Sequence, residues 1–104
     1  MAPRVSYAGL FVLKALAQGH KYGFDIMDAT GLASGSVYPV LRRLEEARLI
    51  RGRWEDAPPA HRAGRPQRRL YELTRAGEEA QEAAREKLMS ARAVILAEAP
   101  AREV

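Results

Sequence analysis

The chain of 104 residues contains no cysteine. That absence removes disulfide frameworks, thiolate zinc sites and cysteine nucleophiles together, and it fits a reducing cytosol. Long apolar runs are missing too, with none near the roughly 20 residues a membrane-crossing helix needs. Met1-Ala2-Pro3-Arg4 leads into no signal-type apolar core, because Lys14 interrupts the first apolar pattern. The expectation is a soluble, cytoplasmic protein with no membrane partner. Catalytic signatures are equally scarce. The chain has no Gly-x-Ser-x-Gly elbow, no His-Glu-x-x-His and no glycine-rich phosphate loop closing on Lys-Ser or Lys-Thr. His20 and His61 are far apart and lack acidic partners at ligand spacing. Neither an enzyme nor a metal or cofactor site is expected.

What is present is a 47% hydrophobic composition, enough for one modest core, and a formal charge of +4. That charge is unevenly spread. Residues 1–71 hold twelve Lys and Arg against six Asp and Glu, whereas residues 72–104 hold five against seven. Such a split suggests a polyanion-binding part joined to a part with another job.

Periodicity gives the order helix, helix, helix, strand, strand, helix. Ser6 is a candidate N-cap for a helix through about Gln18, with Leu10, Leu13, Leu16 and Ala17 on one face. Gly19 stops it. Tyr22 to Thr30 reads as a second helix with Phe24, Ile26 and Met27 as core contributors, closed by Gly31. A third helix follows from about Ser34 to Ala47, with Val37, Leu41 and Leu44 as its buried stripe and Pro39 in or just after the first turn. Residues 49–55 and 69–73 read as the strands of a hairpin, separated by a proline- and arginine-rich loop over 56–67. Thr74 then caps a long helix running to about Glu98 and ended by Pro100. The fold class expected is mainly α (α+β), a winged helix-turn-helix. Its winged DNA-binding domain spans residues 1–73, its C-terminal dimerisation helix 74–98 and a frayed tail 99–104.

A B-DNA major groove admits one α-helix, whose exposed face must meet the base edges. With Val37, Leu41 and Leu44 turned inward, Ser36, Tyr38, Pro39, Arg42 and Arg43 stand on outward or flanking faces of the third helix. Tyr38 and Arg42, four residues apart, share a side. Ser34 and Ser36 lie near its N-terminus, where backbone N–H groups attract phosphate. The hairpin tip adds Arg62, Arg65, Arg68 and Arg69. Residues 42–69 hold nine arginines against four acids, the densest positive stretch in the chain.

These segments resemble the PadR-type transcriptional regulators. Gly31-Leu32-Ala33-Ser34-Gly35-Ser36-Val37-Tyr38-Pro39-Val40-Leu41-Arg42-Arg43-Leu44-Glu45 is similar to that family's recognition helix. Tyr22-Gly23-Phe24-Asp25-Ile26 resembles its second helix. Gly64-Arg65-Pro66 and Tyr71-Glu72-Leu73-Thr74-Arg75-Ala76-Gly77 resemble its wing and the start of its last helix. The resemblance implies a dimer on a palindromic operator, commonly a repressor, with Ser36, Tyr38 and Arg42 or Arg43 at DNA and Arg65 in the wing. It also implies a small-molecule effector held between subunits. Three positions depart from the pattern. Ala33 stands where the family often has the capping Ser, so Ser34 is expected to cap one residue later. Ser36 replaces a usual Thr. Arg48 replaces a frequent Gly at the end of the third helix, where it adds a further phosphate contact.

Other readings compete at each of these positions. Tyr38 packs on Pro39, and Arg42 and Arg43 pair with Glu45 and Glu46, in the alternative where that helix is only a solvated surface. Trp54 is expected on the hairpin or against the first helix. Ala84, Leu88, Ala91 and Ile95 form a heptad-like stripe that either packs on its own domain or, with Leu10 and Leu13, forms a dimer seam. A winged helix used for protein–protein contact or non-specific nucleic-acid binding is the alternative function.

Overall fold

Ser6 opens the first helix, α1 (Tyr7–Ala17), by accepting the Gly9 N–H on its hydroxyl at 3.1 Å. Gly19, at φ 98°, ends it. The computed structural model of the protein describes residues 5–97. Residues 1–4, the expected helix end at Glu98 and Pro100, and the tail 99–104 lie outside that range. On α1, Val12, Leu13, Ala15 and Leu16 turn inward and join the central core. α2 (Gly23–Thr30) is closed by Gly31 in the left-handed region, as its position predicts.

Phe24 departs from expectation. It is 71% exposed while Ile26 is fully buried. At 3.6 residues per turn the two side chains lie roughly 200° apart around the helix, so α2 cannot bury both. Met27, one step from Ile26, is half-buried against the core.

α3 (Ser34–Glu46) buries Val37, Val40, Leu41 and Leu44, the expected stripe plus one residue. Its N-cap is Ala33, whose carbonyl already accepts the Ser36 and Val37 N–H groups at 2.9 and 3.0 Å. Ser34 is therefore the first helical residue and not the cap. Pro39 sits in the second turn, where its missing N–H leaves the Gly35 carbonyl to solvent.

The end of α3 is a Schellman turn. Arg48 N–H donates to the Glu45 carbonyl and Leu49 N–H to the Leu44 carbonyl, both at 2.9 Å. This geometry puts Arg48 at φ 60°, the one non-glycine residue with positive φ among those described.

β1 (Ile50–Trp54) and β2 (Arg69–Leu73) pair antiparallel, with Ile50 opposite Leu73 and Trp54 opposite Arg69. Lys21 and Tyr22 add to the free edge of β2. Tyr71 N–H donates to the Lys21 carbonyl at 2.8 Å, and Tyr22 bridges to Leu70. The hairpin is thus pinned to the start of α2. The segment read as a plain loop contains a short helix, α4 (Ala57–Arg62), with Ala60 fully buried. Pro58 and Pro59 occupy its first turn, where no intrahelical N–H is needed. They therefore start a helix there and do not prevent one.

Thr74 joins two parts of the fold through one hydroxyl. It accepts the Gly77 N–H at 3.1 Å, which caps α5 (Arg75–Leu96), and donates to the Arg48 carbonyl at 2.7 Å. Gly77 lies so close to the Leu49 carbonyl that a Cβ there would overlap it. The first half of α5 packs on α1, burying Ala84. Its second half leaves the domain, and Ile95 is 79% exposed. The Cα radius of gyration, 17.3 Å, exceeds the ~13 Å of a compact chain of this length. That excess is the projecting helix. The architecture is a mainly α winged helix-turn-helix with a two-stranded wing, as expected.

Candidate nucleic-acid interface

The face of α3 opposite its buried stripe carries Ser34, Gly35, Ser36, Tyr38, Pro39, Arg42 and Arg43, all exposed. Because Ala33 offers no side-chain cap, N–H groups of the first turn remain for water or an anion. Arg42 and Arg43 make no ion pair among the described residues, so pairing with Glu45 or Glu46 does not occupy them. Tyr38 is 44% exposed, and its hydroxyl end lies against Gly23, where a Cβ would stand 2.6 Å from the oxygen. One edge of the ring thus docks α3 onto α2, and the other faces solvent.

The hairpin arginines are placed differently. Glu55 follows β1 and, at 7% exposure, is the one buried charged residue among those described. Its carboxylate takes the forked guanidinium of Arg65, with Nη2 at 3.2 Å from Oε2 and Nη1 on Oε1. It also accepts the Arg68 backbone N–H at 2.7 Å, with the Arg68 Nε 3.6 Å away. The hydrogen bond from Arg65 is the main cause holding the Glu55 carboxyl at about 2 from its ordinary 4.5. Burial opposes this, and the Arg68 N–H and the charges of both arginines add to it. The same bond raises Arg65 above its usual value. The structure thus places the Arg65 guanidinium, expected at DNA, on a partner within the protein.

Arg68 lies with its guanidinium 3.8 Å from the centre of the Tyr22 ring, a cation–π stack onto the residue that precedes α2. Arg69 reaches α3, with Nη2 3.4 Å from Glu45 Oε1. That pair crosses directly over Gly52, where a Cβ would meet both side chains below 3.0 Å. Arg69 also lies 5.7 Å from the Trp54 ring centre and 6.0 Å from that of Tyr71. Burial pushes the Tyr71 phenol up, and the Arg69 charge opposes that shift. Arg53 pairs with Glu72 at 3.3 Å. Of the expected wing cations, Arg62 at the end of α4 is exposed and without an ion pair among the described residues. Trp54 lies on the hairpin and is largely exposed.

Sequence reasoning gave Glu55 no role and did not pair Tyr22 or Glu45 with the hairpin arginines. The available signal for Glu55 was its position as the one glutamate between residues 47 and 71, inside the most arginine-rich stretch of the chain.

The expected dimer residues divide. Leu13 is fully buried in the central core and offers no surface to a partner, while Leu10 and Ala84 are largely buried between α1 and α5 at the floor of a groove. This corrects Leu13. Leu88 and Ala91 are half-buried and Ile95 is exposed. Phe11, Met89, Val94 and Leu96 add large exposed apolar surface that the stripe did not include. Leu10, Phe11, Lys14, Ala84, Leu88 and Met89 line a groove of about 240 Å³ between the two helices.

Among the described residues no helix is long and apolar enough to cross a membrane, and no three His, Asp or Glu side chains gather as a metal site would require.

Residues 12–83 match the Transcriptional regulator PadR-like family. Among solved structures, a PadR family transcription regulator from Clostridium difficile R20291 is similar over 86% of this chain and 95% of its own, at 21% identity and a TM-score of 0.74. A PadR-like transcription factor from Bacteroides fragilis matches over 84% of each chain, at 21% identity and a TM-score of 0.67. A Streptococcus mutans UA159 protein matches over 91% of this chain and 90% of its own, at 26% identity and a TM-score of 0.69. No curated protein sequence matches the chain.

Proposed function

The chain belongs to the PadR-like family of transcriptional regulators, and from that premise we propose a dimeric repressor that binds a palindromic operator in double-stranded DNA and is released by a small-molecule effector. The observation that carries this reading is the outer face of α3. It combines an uncapped helix start, the solvent-facing edge of the Tyr38 ring and two arginines with no ion pair among the described residues. Such a face suits insertion into a major groove, with Ser34, Ser36, Tyr38, Pro39, Arg42 and Arg43 as the contacting set. Arg62 supplies a wing cation to the backbone, and Arg68 reinforces it from its stack on Tyr22.

Dimerisation rests on the outer half of α5. Leu88, Ala91 and Ile95 continue a heptad-like stripe beyond the domain, with Met89, Val94 and Leu96 beside it and Phe11 across the groove. An isolated helix end with this much apolar surface is stabilised by a partner rather than by water. A second copy would place two such grooves near one another, which supports the effector reading. The likeness to the family's regulators and the charge distribution support regulation in the cytoplasm and no catalytic role.

Selection of bound fragments from a random duplex library at physiological salt tests the reading. A two-fold palindrome with half-sites about one helical turn apart is the expected product. Light scattering should give a dimer, and Ile95→Glu should shift it to monomer and lower affinity for the selected duplex. Enrichment of nothing by a folded dimer would leave a winged helix for protein contact or non-specific binding.

A further inference from the structure

We propose that Glu55 is the positioning residue of the wing, a buried anion that holds Arg65 and Arg68 in one arrangement and so sets how well the hairpin discriminates one DNA sequence from another. The inference rests on the DNA-binding reading above. Twelve residues, 56–67, separate Glu55 from Arg68, and a connection of that length is mobile unless something closes it. Every polar part of Glu55 takes part in that closure. Its N–H donates to the Arg68 carbonyl at 2.8 Å, and its carbonyl accepts the Gln67 side-chain amide at 2.7 Å. Its carboxylate takes the Arg65 fork and the Arg68 N–H. Arg68 then stacks on Tyr22 at the edge of α2. One residue, through its backbone and its carboxylate, thereby ties the wing to the helix-turn-helix.

Electrostatics distinguishes positioning from affinity. A carboxylate within a basic lobe lowers its attraction for a polyanion and keeps Arg65 from gripping phosphate. Selection for binding strength alone would favour a neutral residue there. An anion that weakens general binding while ordering the loop favours the one geometry in which the wing fits. With its carboxyl held at about 2, Glu55 is ionised at the near-neutral pH of a binding assay, where the brace is in place.

The test compares the full chain and E55Q on the duplex recovered by fragment selection and on a random-sequence duplex, alongside tryptic cleavage after Arg62 without DNA. Expected for E55Q are a selected-to-random affinity ratio lower by about tenfold, the scale of one lost specific contact, with random-duplex affinity held or raised, and faster cleavage. An unchanged ratio overturns the proposal. So does a parallel fall on both duplexes, which is what a merely structural role would give. Should E55Q fail to fold, Arg65→Lys keeps the charge without the fork and must move the ratio and cleavage in the same directions. If the wild-type protein prefers no duplex, the DNA reading falls, and cleavage alone judges the brace. Faster cleavage of E55Q then supports it and an equal rate overturns it.

Discussion

Arg42 on α3 and Arg65 in the hairpin are the same residue type in one basic stretch, and the fold uses them in opposite ways. Arg42 and its neighbour Arg43 stand exposed without an ion pair among the described residues, on a helix whose other side is core. Arg65, Arg68 and Arg69 are each engaged within the protein, by Glu55, by Tyr22 and by Glu45. Arginine density therefore overstates the cation available to a partner. The acids and aromatics that stand against each guanidinium decide which charges face outward and which hold the wing on its base.

The largest expected effect separates the two sets directly. Arg42→Ala should lower affinity for the selected duplex by about 1–3 kcal/mol while leaving the unfolding free energy within about 0.5 kcal/mol of wild type. Arg65→Ala should show the reverse emphasis. It leaves Glu55 buried without its fork, and the unfolding midpoint falls. Denaturant titration beside DNA titration of both variants checks the contrast.

Acid provides the next effect. The folded-state pKa of Glu55 lies below its ordinary value, so its contribution to stability is fully present above pH 4.5 and is lost as pH falls towards about 2. Thermal unfolding across that window should show wild type losing stability that E55Q never had. A smaller effect concerns an arginine of neither kind. Arg48 carries a left-handed backbone that glycine adopts without strain, so Arg48→Gly should raise stability by roughly 0.5–1 kcal/mol in chemical denaturation. Smallest is Glu45→Gln. Its pair with Arg69 is partly exposed and screened by solvent, so the loss should be about 0.2–1 kcal/mol, read from the same denaturation curves.

Much of the fold was legible from local signals because those signals act locally. Ser6 and Thr74 cap where they were placed, Gly31 takes the left-handed turn, and Val37, Leu41 and Leu44 form the buried stripe. β2 runs from Arg69 to Leu73, the bounds read from the sequence. The misreadings share a cause in what lies across space. Phe24 looked like core because its chemistry is apolar, but only one face of α2 meets the domain. Leu13 looked available to a partner until α1 was seen surrounded by α2, α3 and α5. Two prolines suggested a loop where they start α4. The Glu55–Arg65 pair closes across ten residues that include the unforeseen α4, and no periodicity announces such a contact.

The most direct test of the contrast between the two arginine sets is the salt dependence of DNA affinity for Arg42→Ala and Arg65→Ala in one buffer series. A guanidinium that neutralises phosphate contributes about one unit to the slope of log affinity against log salt. The structure predicts that Arg42→Ala flattens the slope by about one unit and that Arg65→Ala leaves it unchanged. A flattened slope for Arg65→Ala with an unchanged one for Arg42→Ala would contradict the division between outward-facing and internally held charge.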